Sequence, residues 1–235
     1  MTKPPGPRNG RLSLVASADD VGFYAQRAWD GPVLVLGAAD GRVAYELGAR
    51  GVEVVAVEPA EAMARAAEVR RASERPEVAA RVKFLHGDPR SLRLKERFAG
   101  VAAPQNALAL YGALEDVDAL FETARLHLRP QGTLVFDLRN PSAPLRPRPH
   151  GHGGGPGEAL LPPPPLTFVP HLHERTRASR HDALRRMKVR AFTLEEVDEA
   201  LSDAGFTPLE RFGDFAGKPF DPGDAVQVVV AARAD

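Results

Sequence analysis

Two short apolar runs constrain this chain more than anything else in it. Val33-Leu34-Val35-Leu36 stops at Gly37, and Val54-Val55-Ala56-Val57 stops at Glu58. Neither run alternates polar with apolar residues. Four or five apolar residues without a polar face predict a strand covered on both sides, as in parallel sheets flanked by helices. The intervening segments supply the helices. RVAYELGARG carries Gly51 near its C-terminus, and AEAMARAAEVRRA is rich in helix formers. VKFLHGD, FAGVAAP and TLVFDL read as third, fourth and fifth strands. Between the last two, EDVDALFETARLHL sets Val117, Leu120, Phe121 and Ala124 on one helical face, and Arg129-Pro130-Gln131-Gly132 breaks the helix. This alternation predicts an α/β fold, a doubly wound and mostly parallel sheet with right-handed crossovers.

The flanking regions read differently. Residues 1–12 are rich in proline and glycine. Ser17 is placed to cap a short helix in SADDVGFYAQRAWD, closed by Gly31-Pro32. The strand–helix rhythm stops at Asn140. From Pro141 to Pro165 the chain has nine prolines and five glycines in 25 residues, a density no helix survives. LTFVPHLHERTR and ALRRMKVRAFT then suit a β-hairpin. Thr193 and Glu196 form a capping box ahead of LEEVDEALSDAG, and PLERFGDF and AVQVVVAARA complete a seven-stranded sheet. The expected organisation is one domain made of residues 1–140 and 191–235, with 141–190 inserted as a Pro/Gly-rich loop and basic hairpin that acts as a lid.

Several function classes drop out. The 31 basic and 31 acidic residues balance to zero net charge, so no global field steers the chain to nucleic acid. The arginines of the hairpin, Arg175 to Arg190, lack interleaved aromatics and read as a solvated edge. With no cysteine, disulfides, thiolate catalysis and Cys-ligated zinc are excluded. No membrane span and no secretory leader are expected, which makes cytoplasmic the default location.

The chemistry concentrates at three predicted strand ends. The first strand runs into Gly37-Ala38-Ala39-Asp40-Gly41-Arg42 and then a helix, a turn that lets a ligand approach the backbone and meet unpaired N–H groups. The second strand ends in Glu58, where a carboxylate can accept both hydroxyls of a ribose. The third ends in Gly87-Asp88. All three fall at the carboxyl edge where doubly wound sheets bind ligands. A dinucleotide site needs a small residue at the sixth place of its fingerprint, and Arg42 stands there. That argues against NAD.

On these residues the chain resembles the class I S-adenosylmethionine-dependent methyltransferases, particularly small-molecule N- or O-methylating members. The likeness runs through PVLVLGAADGRVAYELGARGVEVVAVEP, FLHGDPRSLRL, LRPQGTLVFDLRNP and RAFTLEEVDEALSDAGFTPLERFGDF. It implies a Rossmann-like methyltransferase fold and S-adenosylmethionine as cofactor. It also implies roles. Gly37, Ala39 and Gly41 would line the methionine part, with Asp40 beside them. Glu58 would hold the ribose. Gly87, Asp88 and Pro89 would face the adenine. Ala103 and Pro104 would lie near the sulfonium, and Tyr24 would close over it. Four places depart from the family. Val35 stands where an acid is usual, Ala39 replaces the middle glycine, Asp40 replaces a usual small or hydroxyl residue, and QNALALYG lacks a histidine common after the fourth strand.

Methyl transfer from a sulfonium asks mainly for alignment, with a general base only where the acceptor must lose a proton early. Tyr111, His171 and His173 are the candidates for that role, with Glu174 beside them. Two histidines without a third ligand do not make a metal site, so none is expected. The expected partner is a small-molecule methyl acceptor. The alternative reading is a non-catalytic descendant of the fold serving as a binding or regulatory module.

Overall fold

A computed structural model describes residues 20–143 and 190–234, together with the strand pairs Thr167–Phe168 and Met187–Lys188. The first two apolar runs form β1 (Val33–Leu36) and β2 (Val54–Glu58), each buried along its whole length. They lie parallel and in register, Val33 beside Val54 and Leu36 beside Val57. β3 (Val82–His86) joins β2, and β4 (Phe98–Ala103) joins β1 on its other side, both parallel. β5 (Leu128–Arg139) continues the parallel set beyond β4.

The order across the sheet is β3-β2-β1-β4-β5-β9-β8, which includes β8 (Phe206–Phe212) and β9 (Val226–Arg233). β9 runs antiparallel to both of its neighbours. The sheet is therefore the seven-stranded, mostly parallel one that the sequence predicts. The order reverses between β1 and β4, which opens a crevice at their carboxyl ends.

Six helices connect the strands among the described residues. α1 (Asp20–Gln26), α2 (Arg42–Ala49) and α4 (Pro76–Arg81) pack with the cluster around Val35, Tyr45 and Val135. α5 (Leu114–His127) and α6 (Leu194–Asp203) cover the opposite face through Leu120, Phe121 and Leu201. α3 (Glu61–Arg71) follows β2 and buries only Ala67. Val117, Leu120, Phe121 and Ala124 are all buried, as their spacing requires. The capping box at Thr193 and Glu196 is present in both directions.

Three local features differ from the sequence expectation. Pro76 starts a short helix that composition did not reveal; the ring fixes φ and serves well at a first helical position. Ala107–Leu110 adds a 3-10 turn after β4. Arg129 to Gly132, read as a break, is absorbed into β5. Gln131 takes φ +64°, and the register with β4 slips between Phe98 and Gly100, as a bulge does. The break is real in the backbone, but pairing resumes on either side of it.

β6 (Thr167–Phe168) and β7 (Met187–Lys188) pair antiparallel, as the predicted hairpin requires. The rest of that hairpin, Ser17 and most of the Pro/Gly-rich stretch lie outside the described residues. Among the described residues no helix is long and apolar enough to cross a membrane.

Gly100 shows how tightly the segment that follows α1 sits on the sheet. A Cβ built there would fall 1.9 Å from the ring of Trp29, whose indole Nε1 donates to the Tyr24 carbonyl at 2.9 Å. Gly100→Ala must displace that ring. We expect a loss of about 1–3 kcal/mol in urea unfolding, with a red-shifted emission from Trp29, the sole tryptophan. An unshifted emission would mean that the backbone yields instead of the indole.

Candidate functional site

The turn after β1 is built from left-handed backbone. Gly37, Ala39 and Gly41 have φ of +69°, +48° and +80°. Glycine takes this region freely, whereas alanine does so at a steric cost. Gly37 has a second reason to lack a side chain, because a Cβ would stand 2.9 Å from that of Ala107. Gly41 then caps α2 with no side-chain hydrogen bond. The first N–H groups of α2 therefore have no capping side chain and suit an anionic or polar ligand.

Glu58 closes this turn from the side. It is 6% exposed, and its two oxygens accept from Ala39 N at 2.7 Å and Ala60 N at 2.8 Å. The end of β2 is thus tied to the turn after β1 through one carboxylate. Burial raises the Glu58 carboxyl above its ordinary range, while the two backbone donors and His86 pull it down. Each oxygen keeps a lone pair for a further donor, such as a sugar hydroxyl.

The third strand end is also organised. Asp88 is half-buried and gripped by Arg90, whose Nη2 lies 2.7 Å from Oδ2 and whose backbone N lies 2.9 Å from Oδ1. Arg90 continues to Asp116 at 2.5 Å and lies over the ring of Tyr111, 5.3 Å from its centroid. The guanidinium holds Asp88 below the usual carboxylate range. Gly87 donates to the Glu58 carbonyl at 3.1 Å, and Pro89 is buried. Tyr111 therefore shares the crevice with Asp88 and Glu58. Burial, then those two carboxylates, push its phenol well up. A phenol so placed stays protonated and keeps its O–H as a donor for a ligand.

Other sequence candidates lie as follows. Asp40 faces α3 and pairs with Arg70 at 3.0 Å. Ala103 and Pro104 are buried at the end of β4. Tyr24 is fully buried, and its hydroxyl donates to Asp137 at 2.7 Å. Val35 is fully buried in the core. His171 and His173 lie outside the described residues. Among the described residues no group of three metal-binding side chains occurs.

Two groups escaped the sequence reading. Arg42 forks onto Asp20 of α1 through both Nη atoms, and Asp20 is 1% exposed. With its amide oxygen turned inward, Gln105 also accepts from Arg42 at 3.0 Å. Asp137 sits near the end of β5, fully buried, and accepts three hydrogen bonds. An acid inside the apolar run LVFDL was the available signal for it.

Residues 33–132 match the protein family described as a methyltransferase domain. That stretch is 100 of the chain's 235 residues and runs from β1 into the start of β5. Among solved structures, the chain is similar to the CcbJ methyltransferase from Streptomyces caelestis, at 23% identity and TM-score 0.72, over 97% of this chain and 94% of that one. It is also similar to the glycopeptide N-methyltransferase MtfA complexed with S-adenosyl-L-homocysteine, at 25% identity and TM-score 0.60, over 87% and 83%. An S-adenosylmethionine-dependent methyltransferase from Clostridium acetobutylicum matches at 14% identity and TM-score 0.64, over 94% and 93%. No curated protein matches the chain significantly.

The methyl of Ala39 is the visible strain in the turn after β1. Ala39→Gly should raise the unfolding free energy by about 0.5–1 kcal/mol, the left-handed penalty less the extra unfolded freedom of glycine. Thermal melts would check it. A lowered midpoint would mean that the methyl packs usefully.

Proposed function

We propose that this chain transfers the sulfonium methyl of S-adenosylmethionine to a nitrogen or oxygen of a small-molecule acceptor. The observation that carries the reading is Glu58, oriented by Ala39 and Ala60 beside a turn made for close backbone approach. The cofactor supplies an activated methyl and a neutral leaving group. The protein's task is then alignment.

In this reading Glu58 accepts the ribose hydroxyls, and Gly37, Ala39 and Gly41 admit the methionine part to the backbone, with Asp40 outside them on Arg70. Gly87, Asp88 and Pro89 border the adenine, and Arg90 fixes the carboxylate of Asp88 there. Ala103 and Pro104 form the wall near the sulfonium. Tyr111 donates a hydrogen bond to cofactor or acceptor instead of removing a proton. His171 and His173, on the inserted segment 141–190, are proposed to meet the acceptor as that segment covers it. The similarity in fold to a glycopeptide N-methyltransferase supports an acceptor of small-molecule or peptide-like kind. The chain works in the cytoplasm on this reading.

The buried Val35 and the pairing of Asp40 with Arg70 leave no free acid at either place for the cofactor's ammonium. That supports, as second reading, a non-catalytic chain of this fold serving as a binding or regulatory module.

Calorimetry with S-adenosylhomocysteine tests the site directly. We expect saturable binding, weakened about 10- to 100-fold by Glu58→Gln, since that change sets an amide N–H against a backbone N–H and removes a charged acceptor. No heat at roughly millimolar ligand would sink the proposal. Binding without methyl transfer to any amine or hydroxyl acceptor would select the second reading.

A further inference from the structure

The carboxylate of Asp137 joins parts of the chain that are far apart in sequence. Its Oδ1 accepts from the Tyr24 hydroxyl of α1 and from Gln105 N, each at 2.7 Å, and its Oδ2 accepts from Asn106 N at 2.8 Å. Gln105 and Asn106 both hold left-handed backbone, with φ of +63° and +57°. Two successive residues in that region aim their N–H groups inward, and the arrangement is costly unless an anion sits there. Asn106 in turn accepts from Arg139 N at 3.1 Å through its side chain.

The place matters as much as the bonds. Val35, Ala102 and Val135 stand side by side on β1, β4 and β5. Two residues further along the chain in each case come Gly37 and Pro104, just past the ends of β1 and β4, and Asp137, still on β5. The Asp137 carboxylate thus lies in the same row as the turn assigned to the cofactor, across the mouth of the crevice. We propose, resting on the methyltransferase reading above, that Asp137 is a positioning residue whose carboxyl group holds α1 and the turn after β4 together over the cofactor.

The ionised form is the one that three donors satisfy. Burial nevertheless pushes this carboxyl up to about 6, with the three donors pulling the other way and Asp20 adding to the rise. The charged groups around it are few among the described residues. α1 brings Tyr24, Asp20 and Arg27, and α2 brings Arg42, which forks onto Asp20. The turn after β4 brings neutral Gln105 and Asn106, and β9 brings Val228 opposite. Because burial pushes the folded carboxyl up to about 6, above an exposed carboxyl, a proton favours the closed arrangement; the buried charge costs stability as pH rises through that value, and acid re-pairs the donors without releasing the clamp.

Trp29 reports on the clamp without any ligand, since its indole is bonded to the Tyr24 carbonyl. The experiment follows Trp29 emission from pH 8 to pH 5 and S-adenosylhomocysteine affinity at both ends, in wild type, Asp137→Asn, Tyr24→Phe and Glu58→Gln. In wild type we expect an emission step near pH 6, as the Tyr24 hydroxyl re-pairs with the protonated carboxyl, with cofactor binding kept on the acid side. Tyr24→Phe removes a donor that favours the charged form, so its step moves to higher pH. Asp137→Asn shows no step and binds weakly throughout, whereas Glu58→Gln keeps the emission step. A wild-type protein without the step overturns the proposal, as does a step that survives Asp137→Asn. If Asp137→Asn does not fold, an unmoved step in Tyr24→Phe overturns it. No binding by wild type at pH 8, together with a step that Asp137→Asn abolishes, would remove the methyltransferase reading and leave the clamp standing.

Discussion

Five adjacent parallel strands, β3-β2-β1-β4-β5, have little room for polar groups along their length, because helices cover both faces of the central ones. The backbone donors that the ladders cannot use collect where the chain leaves the sheet. At two of those exits the structure answers with a buried carboxylate. Glu58 takes the N–H groups of Ala39 and Ala60, and Asp137 takes those of Gln105 and Asn106. Each carboxylate carries a desolvation cost that raises its affinity for a proton. Each is kept by donors that the turns would otherwise leave unpaired. The two carboxylates tie down the turns after β1 and β4 at the carboxyl edge of the sheet.

Around the anchors, charge is neutralised in pairs that bridge elements. Arg42 connects α2 to α1 through Asp20, Arg90 connects the turn after β3 to α5 through Asp88 and Asp116, and Arg70 reaches Asp40 from α3. The Asp20 end of the first pair is buried, so its partner cannot be removed cheaply. The Asp88–Arg90 pair is more exposed and contributes less to stability. It still orients Asp88, which matters for recognition more than for folding. Arg42 occupies the place where a dinucleotide fingerprint needs a small residue, and the long side chain is accommodated by turning toward Asp20 and Gln105.

Much of the sheet was legible because its signals are local. The runs 33–36 and 54–57 are apolar without alternation, and a strand covered on both faces is what that pattern permits. The stripe through Val117, Leu120, Phe121 and Ala124 marked the buried face of α5 for a similar reason. Pro76 and the bulge at Gln131 were harder. A proline can open a helix as well as end one, and whether a kinked turn lies inside a strand depends on pairing with β4. At the site, Glu58 and Asp88 announced themselves by standing at strand ends. Asp137 was hidden inside an apolar run, and its donors are backbone groups 31 and 32 residues away and a hydroxyl 113 residues away.

By itself, the sequence determined that apolar strands would alternate with helices, that glycines would follow the first strand, and that acids would end the second and third. Those outcomes depend on neighbours a few residues apart, where periodicity and backbone freedom decide. Only the tertiary structure decided that Ala39 would be held left-handed against Glu58, that Arg42 would turn to α1, and that a single carboxylate on β5 would receive three donors from two distant segments. Hydrogen bonds between distant segments leave no periodic trace in a chain. They exist only once burial has excluded water and made an unpaired donor more costly than a buried charge.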